Sequence, residues 1–244
     1  MSTQKRRAPR HTLDRDTIAA AALDLMDSEG LGALTIRALA TRLGVAPMAL
    51  YNHAATKDEI LDAARERALA PLAAVDAGPS GPDGDPWWQR LRRINIAFHS
   101  ALRDHPSLVP LLVSRPLAGP TPIGAAEAQV QVLLEAGFAP AQAASAHLAL
   151  LHYAIGHAAW TTPRVESPAE SQAALVRLPV DRYPMLHRLA EPLAAATHDP
   201  DQYARGLDLL LDALRHTCPS PLPAPDAGPV DHEVMSGQPG VSRS

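Results

Sequence analysis

Cys218 is the only cysteine of the chain, so no internal disulfide can form. Aromatic residues make up 4% of it, and β-branched residues are sparse. With Ala and Leu dominant, that scarcity favours helix throughout. No apolar run approaches the ~20 residues of a membrane span. The charged N-terminal stretch has no apolar signal core, so a cytoplasmic location is expected. Lysine is nearly missing as well: Lys5 and Lys57 are the only two. Arg replaces it, a matter of coding composition more than of function. The chain also lacks a Walker loop, a dinucleotide fingerprint, a Gly-x-Ser-x-Gly elbow and a His-Glu-x-x-His pair. No catalytic residue and no cofactor is therefore expected.

The net charge is -4, which excludes a uniformly basic protein that coats nucleic acid. Positive charge is concentrated instead in Lys5, Arg6, Arg7, Arg10 and Arg15. Such an arm can follow phosphates or enter a minor groove. A solvated tail is the alternative reading.

Turning to what is there, 244 residues suffice for one or two substantial cores. Residues 33–53 read as a short helix, a Gly turn and a second short helix. Leu34, Leu39 and Leu43 give the first an apolar face, and Val45 and Leu50 the second. This is the helix-turn-helix pattern, whose second helix has the width to lie in a major groove. Around it, Asp14 is an N-cap, with Leu13 and Ile18 placed as a hydrophobic staple. Gly30 supplies a left-handed stop to the first helix. Thr35 caps the next helix and Gly44 ends it, Pro47 suits a first turn, and Thr56 with Glu59 forms a capping box. The helix that opens there should run to about residue 75.

Residues 76–86 are rich in Gly, Pro and Asp and read as a linker. The division expected is a basic arm at 1–13, a DNA-binding head at 14–75, a helical body at 85–217 and a disordered tail at 218–244. Within the body, helices are expected over 87–104, 108–113, 123–136, 140–160, 168–176, 184–196 and 200–215. The architecture expected is all-α, with a three-helix head followed by a larger helical body. His147, His152 and His157 invite a metal reading. Spacing of five leaves neighbours about 140° apart on a helix, so they share no face and no metal site is expected.

The order and spacing of Gly30, Leu34-Thr35, Leu43-Gly44-Val45, Leu50-Tyr51, His53 and Lys57 resemble the DNA-binding domain of TetR-type transcriptional regulators. The body is similar to the C-terminal domain of the tetracycline-repressor branch, through the helix from Trp88 to His105, Pro106-x-Leu108 and the stripe Tyr203, Leu207, Leu210, Leu211 and Leu214. The resemblance implies a homodimer that binds a palindromic double-stranded DNA operator and releases it when a small-molecule effector enters the body.

What it implies for the head can be taken residue by residue. Thr35 touches a phosphate at a helix N-terminus, besides capping it. Arg37 reads a guanine. Pro47, Met48 and Ala49 cannot hydrogen-bond a base edge in bidentate fashion, so they pack on thymine methyls, and sequence reading leans on Arg37, Asn52 and DNA shape. Tyr51, His53 and Lys57 contact phosphates. Dimerisation is expected through the helix at 140–160, with its many small residues, and the last helix.

The effector pocket is expected between the body helices. Its candidate residues are Trp88, Asn95, His99 and Arg103 from one helix, Gln129 from a second, and His147, Leu151, Tyr153 and Trp160 from a third. Large apolar walls with few polar groups are what such sites need; Leu151 also fits a plain core position. An effector would act by shifting the helix that starts at Thr56. An enzyme, or a helical ligand-binding or interaction protein without operator recognition, is the rival reading, and an activator shares every feature of a repressor.

Overall fold

The computed structural model describes residues 13–75, 84–115, 118–161 and 167–218. Residues 1–12 of the basic arm, 219–244 of the expected tail and 76–83 of the linker lie outside them. Twelve α-helices and two 3-10 turns make up the architecture, with no strand among the described residues. No described helix is long and apolar enough to cross a membrane.

The head begins with α1 (Arg15–Glu29), where Asp14 accepts from Thr17 N at 2.7 Å as its N-cap. Gly30 ends it with φ 89° and ψ 159°, a glycine-only conformation but not the left-handed helical one expected. A 3-10 turn (Leu31–Ala33) leads to α2 (Ile36–Leu43), capped by Thr35, whose Oγ1 accepts from Ala38 N at 3.0 Å. Gly44 does adopt the left-handed conformation, φ 68° and ψ 30°, and donates back into the last turn of α2. That tight stop sets the angle to α3 (Pro47–Tyr51).

Thr56 caps α4 (Lys57–Leu69), with Glu59 N donating to its Oγ1 at 3.2 Å. The expected capping box is displaced by one residue: Glu59 Oε2 accepts from Ala55 N at 2.9 Å, not from the cap residue itself. The helix also stops six residues short of expectation. Pro71 has no N–H to continue the ladder, so the chain tightens into a 3-10 turn, Ala70–Ala74.

The body comprises α5 (Trp87–Asp104), α6 (Leu108–Ser114), α7 (Pro120–Glu135) and α8 (Pro140–Thr161). It continues with α9 (Pro168–Val176), α10 (Pro184–Arg188), α11 (Ala190–Thr197) and α12 (Gln202–Thr217). Helix α7 starts three residues earlier than expected: Pro120 and Pro122 fall in its first turn, where a missing N–H costs nothing. The single helix expected over 184–196 is broken at Leu189 (φ -98°, ψ 11°) into α10 and α11.

In the head, α1 packs on α2 and α4. In the body, α5, α7 and α8 pack on one another, and α12 lies against α5 and α8. One continuous apolar core runs from Ile18, Ala22 and Met26 through Leu69 to Leu91, Leu150 and Leu207. Head and body are thus one packed unit, not beads on a string. Polar contacts reinforce the seam. Asp27 of α1 accepts from Ser107 N and Oγ at 3.2 and 2.6 Å and bonds His105 Nδ1 at 2.8 Å. Arg115 pairs with Asp58 at 2.6 Å and Asp62 at 3.7 Å, both on α4.

Candidate nucleic-acid interface and ligand cavity

Local capping decides what the head presents. Leu39, Leu50 and Ile60 are buried, so the opposite sides of their helices face outward. Thr35, Arg37, Pro47, Met48, Tyr51, Asn52 and Lys57 are exposed, and Ala49 and His53 are half-buried. Met48 is 72% exposed, a large apolar side chain with no intramolecular reason to sit in water. No side chain among the described residues pairs with the guanidinium of Arg37 or the ammonium of Lys57, whereas neighbouring Arg42 lies 3.9 Å from Glu29. Arg15 Nε donates to His53 O at 2.9 Å, tying the start of α1 to the end of α3. The surface can therefore offer two unpaired cations, a helix N-terminus capped by Thr35, and an apolar edge.

Inside the body lies a cavity of about 210 Å³. Ile94 and Phe98 of α5, Leu112 of α6, and Leu151 and Ile155 of α8 form much of its apolar wall. Pro122, Ala125 and Ala126 of α7 close another side. Leu72, from the 3-10 turn that continues α4, reaches it from the head. Its polar groups are Asn95, Gln129 and His147. His147 Nδ1 lies 2.5 Å from Gln129 Oε1, and burial, followed by nearby His152, pushes its pKa down.

Of the pocket residues expected from sequence, the structure brings Asn95, Gln129, His147 and Leu151 together around this cavity. It sets the other five elsewhere. His99 is turned about 100° from Phe98 on α5, toward α12, and stacks on Tyr203 with ring centroids 3.7 Å apart. Its Nε2 is 2.9 Å from His157 Nδ1. Burial, with help from His157 and Arg103, lowers its pKa to about 4. Tyr153 also stacks on Tyr203, at 5.2 Å, because positions 153 and 157 of α8 share the face opposite 147, 151 and 155. Trp88 sits under the Arg215 guanidinium, 4.3 Å from the ring centroid, which pins α5 to α12. Arg103 is 64% exposed beside Asp104, and Trp160 is 69% exposed at the end of α8.

Sequence reasoning missed Leu72, Ile94, Leu112 and Ile155. Pro71 is the signal that bears on Leu72, since it ends α4 and swings the next residues inward. The three α8 histidines do diverge, and no described group of three or more His, Cys, Asp or Glu is placed to hold a metal.

Comparison with known proteins completes the picture. Residues 18–64 match the model of bacterial regulatory proteins of the tetR family, and residues 79–218 match the tetracyclin repressor-like C-terminal domain. An HTH-type transcriptional regulator of Saccharopolyspora erythraea is 34% identical over 154 residues, which span 63% of each chain. The HTH-type transcriptional repressor DrrR1 of Streptomyces coeruleorubidus is 28% identical, over 85% of this chain and 79% of its own. Among solved structures, the Streptomyces coelicolor TetR family protein ActR in complex with (S)-DNPA superposes with a TM-score of 0.70 at 26% identity, covering 86% of this chain and 100% of its own.

Proposed function

This chain belongs to the TetR family of bacterial regulators, ligand-responsive DNA-binding repressors, and on that premise we propose how it works. It binds a palindromic operator as a homodimer in the cytoplasm and lets go when a small molecule fills the body cavity. The reading assigns it no turnover.

The observation that carries this reading is Leu72. It belongs to the turn that continues α4 and also lines the cavity. Whatever displaces that wall pushes on the end of the helix whose start, Lys57, faces the DNA. An effector can act in this way only if it prefers the arrangement in which the two heads no longer match the groove spacing.

Arg37 is proposed to read a base and Lys57, Tyr51 and His53 to hold phosphates, with Thr35 at the α2 N-terminus. Pro47, Met48, Ala49 and Asn52 give α3 an edge suited to thymine methyls and to groove shape. Helix α8 supports the symmetric partner. It contains no Asp, Glu, Lys or Arg, yet Ala144, Ser145, Leu148, Ala149, Gly156 and Ala159 are exposed along it. A long uncharged exposed helix face suits a second copy. The exposed Leu209 of α12 extends the apolar surface.

Selection of bound duplexes from a random library, with the mass of the free protein measured by light scattering, tests the proposal. The expected result is a dimer and two half-sites centred about 34 Å apart. A monomer with no preference among duplexes overturns it.

A further inference from the structure

The unused hydrogen-bonding valences in the cavity identify the class of molecule that fills it, on the reading above that the cavity is the effector site. No described Asp, Glu, Lys or Arg lines it. With His147 neutral, its Nδ1 proton is donated to Gln129 Oε1, which leaves Nε2 as an acceptor. Gln129 has its oxygen occupied, and its amide Nε2 meets no acceptor among the described residues. Asn95 Nδ2 donates to Leu91 O at 2.9 Å; its Oδ1 accepts from no described residue. Both amides are deep, Gln129 being 5% exposed and Asn95 2%. Asn95, Gln129 and His147 line the cavity, so these three uncommitted atoms are places where a ligand can exchange water for a hydrogen bond.

We propose that the effector is an uncharged, mainly hydrocarbon molecule carrying a hydroxyl and a carbonyl oxygen, bound without a metal ion. The hydroxyl donates to Asn95 Oδ1 or His147 Nε2. The carbonyl accepts from Gln129 Nε2. The rest of the molecule lies against Ile94, Phe98, Leu112, Leu151 and Ile155. Among the described lining residues a carboxylate meets no cation and an ammonium meets no anion, and a lone charge against an apolar wall is strongly disfavoured. A magnesium chelate fares no better. That ion prefers several carboxylate and other oxygen donors, and the described lining offers it no carboxylate, only the Asn95 amide oxygen and one imidazole nitrogen.

Titration calorimetry on the full-length protein tests the class with four probes. These are 6-hydroxy-1-tetralone (uncharged, with both groups), 1-tetralone (no hydroxyl), 2-naphthoate (anionic), and tetracycline with magnesium. The hydroxytetralone is expected to bind one molecule per protomer. Loss of the hydroxyl, or exchange of the whole probe for the anionic 2-naphthoate, weakens binding by about tenfold or more, the effect of one lost hydrogen bond or of a buried charge. Magnesium adds nothing to tetracycline binding.

Two substitutions locate the site. Ala126→Trp fills the cavity and abolishes binding. Gln129→Met, which keeps the volume and removes the amide, weakens the hydroxytetralone by about tenfold and keeps the reading testable if the tryptophan variant does not fold. Tighter binding of 2-naphthoate or of the magnesium chelate, sensitive to these substitutions, overturns the class and leaves the effector cavity standing. No binding by any probe, or binding indifferent to both substitutions, overturns the class and the effector cavity together. Retained binding to duplex DNA in that case leaves the DNA-binding role intact.

Discussion

Glu66 of α4 accepts a hydrogen bond from Thr121 N at 2.9 Å, so a head helix supplies the cap for the cavity-wall helix α7. Gly119, just before, has φ 98°, and a Cβ there would lie 2.5 Å from Glu66 Oε2. Two elements 55 residues apart in sequence are thereby held in register. Removing the carboxylate in Glu66→Ala leaves the start of α7 uncapped, at a cost of ~0.5–2 kcal/mol. Gly119→Ala is expected to cost about 1–3 kcal/mol through backbone strain. Urea unfolding monitored by circular dichroism reads both; unchanged midpoints in the two variants would show that the junction contributes nothing.

Arg37, proposed to read a base, and Lys57, proposed to hold a phosphate, are separable by experiment. Lys57→Ala is expected to weaken all duplexes alike and to reduce the salt slope by about one. Arg37→Ala is expected to relax preference at one operator position, at ~1–3 kcal/mol. Affinities for a set of single-base operator variants at several salt concentrations distinguish them. Equal losses across every sequence for Arg37→Ala would remove it as a base reader.

His99 makes the fold acid-sensitive. Its folded pKa is about 4, below the ordinary 6.5, so the unfolded chain binds the extra proton first. Stability therefore rises with pH between about 4 and 6.5 and gains nothing further from this group above that window. The contribution is on the order of 3 kcal/mol, from 1.36 kcal/mol per unit. His147 and His157 shift in the same direction, also by burial. His99→Phe, which preserves a ring against Tyr203, is expected to flatten the dependence. Denaturation midpoints at pH 4.5, 5.5, 6.5 and 7.5 give the slope, and an unaltered slope in the variant counts against the assignment.

Leu148 lies on the uncharged exposed face of α8. Leu148→Arg puts a charge in the proposed interface, where unpaired charges are strongly disfavoured. The variant is expected to run as a monomer in light scattering, keep its helical spectrum and lose high-affinity operator binding. A stable dimer with this substitution would move the interface to another face.

Much of the fold was legible because helix ends obey short-range rules. Asp14, Thr35 and Thr56 act as caps from within three residues of their targets, and Gly44 stops its helix by its own backbone freedom. The errors share a cause too. Pro71 and Leu189 change the chain's course by a local departure that apolar periodicity does not record. His147 and Leu151 line the cavity and Tyr153 stacks on Tyr203 instead, since all three lie on one helix whose two inward faces meet different neighbours. Size makes Trp88 and Trp160 pocket candidates, yet one is held by Arg215 and the other is mostly exposed.

The order of residues alone determined the helical class, the helix-turn-helix and the side of the head left exposed, because caps, turns and apolar stripes act over a few residues. Tertiary structure decided which stripe of α5 and α8 faces the cavity, that Leu72 joins its wall, and that Glu66 caps α7. Those outcomes depend on which distant helices come into contact, and a helix's period says which residues share a face without saying what that face will touch.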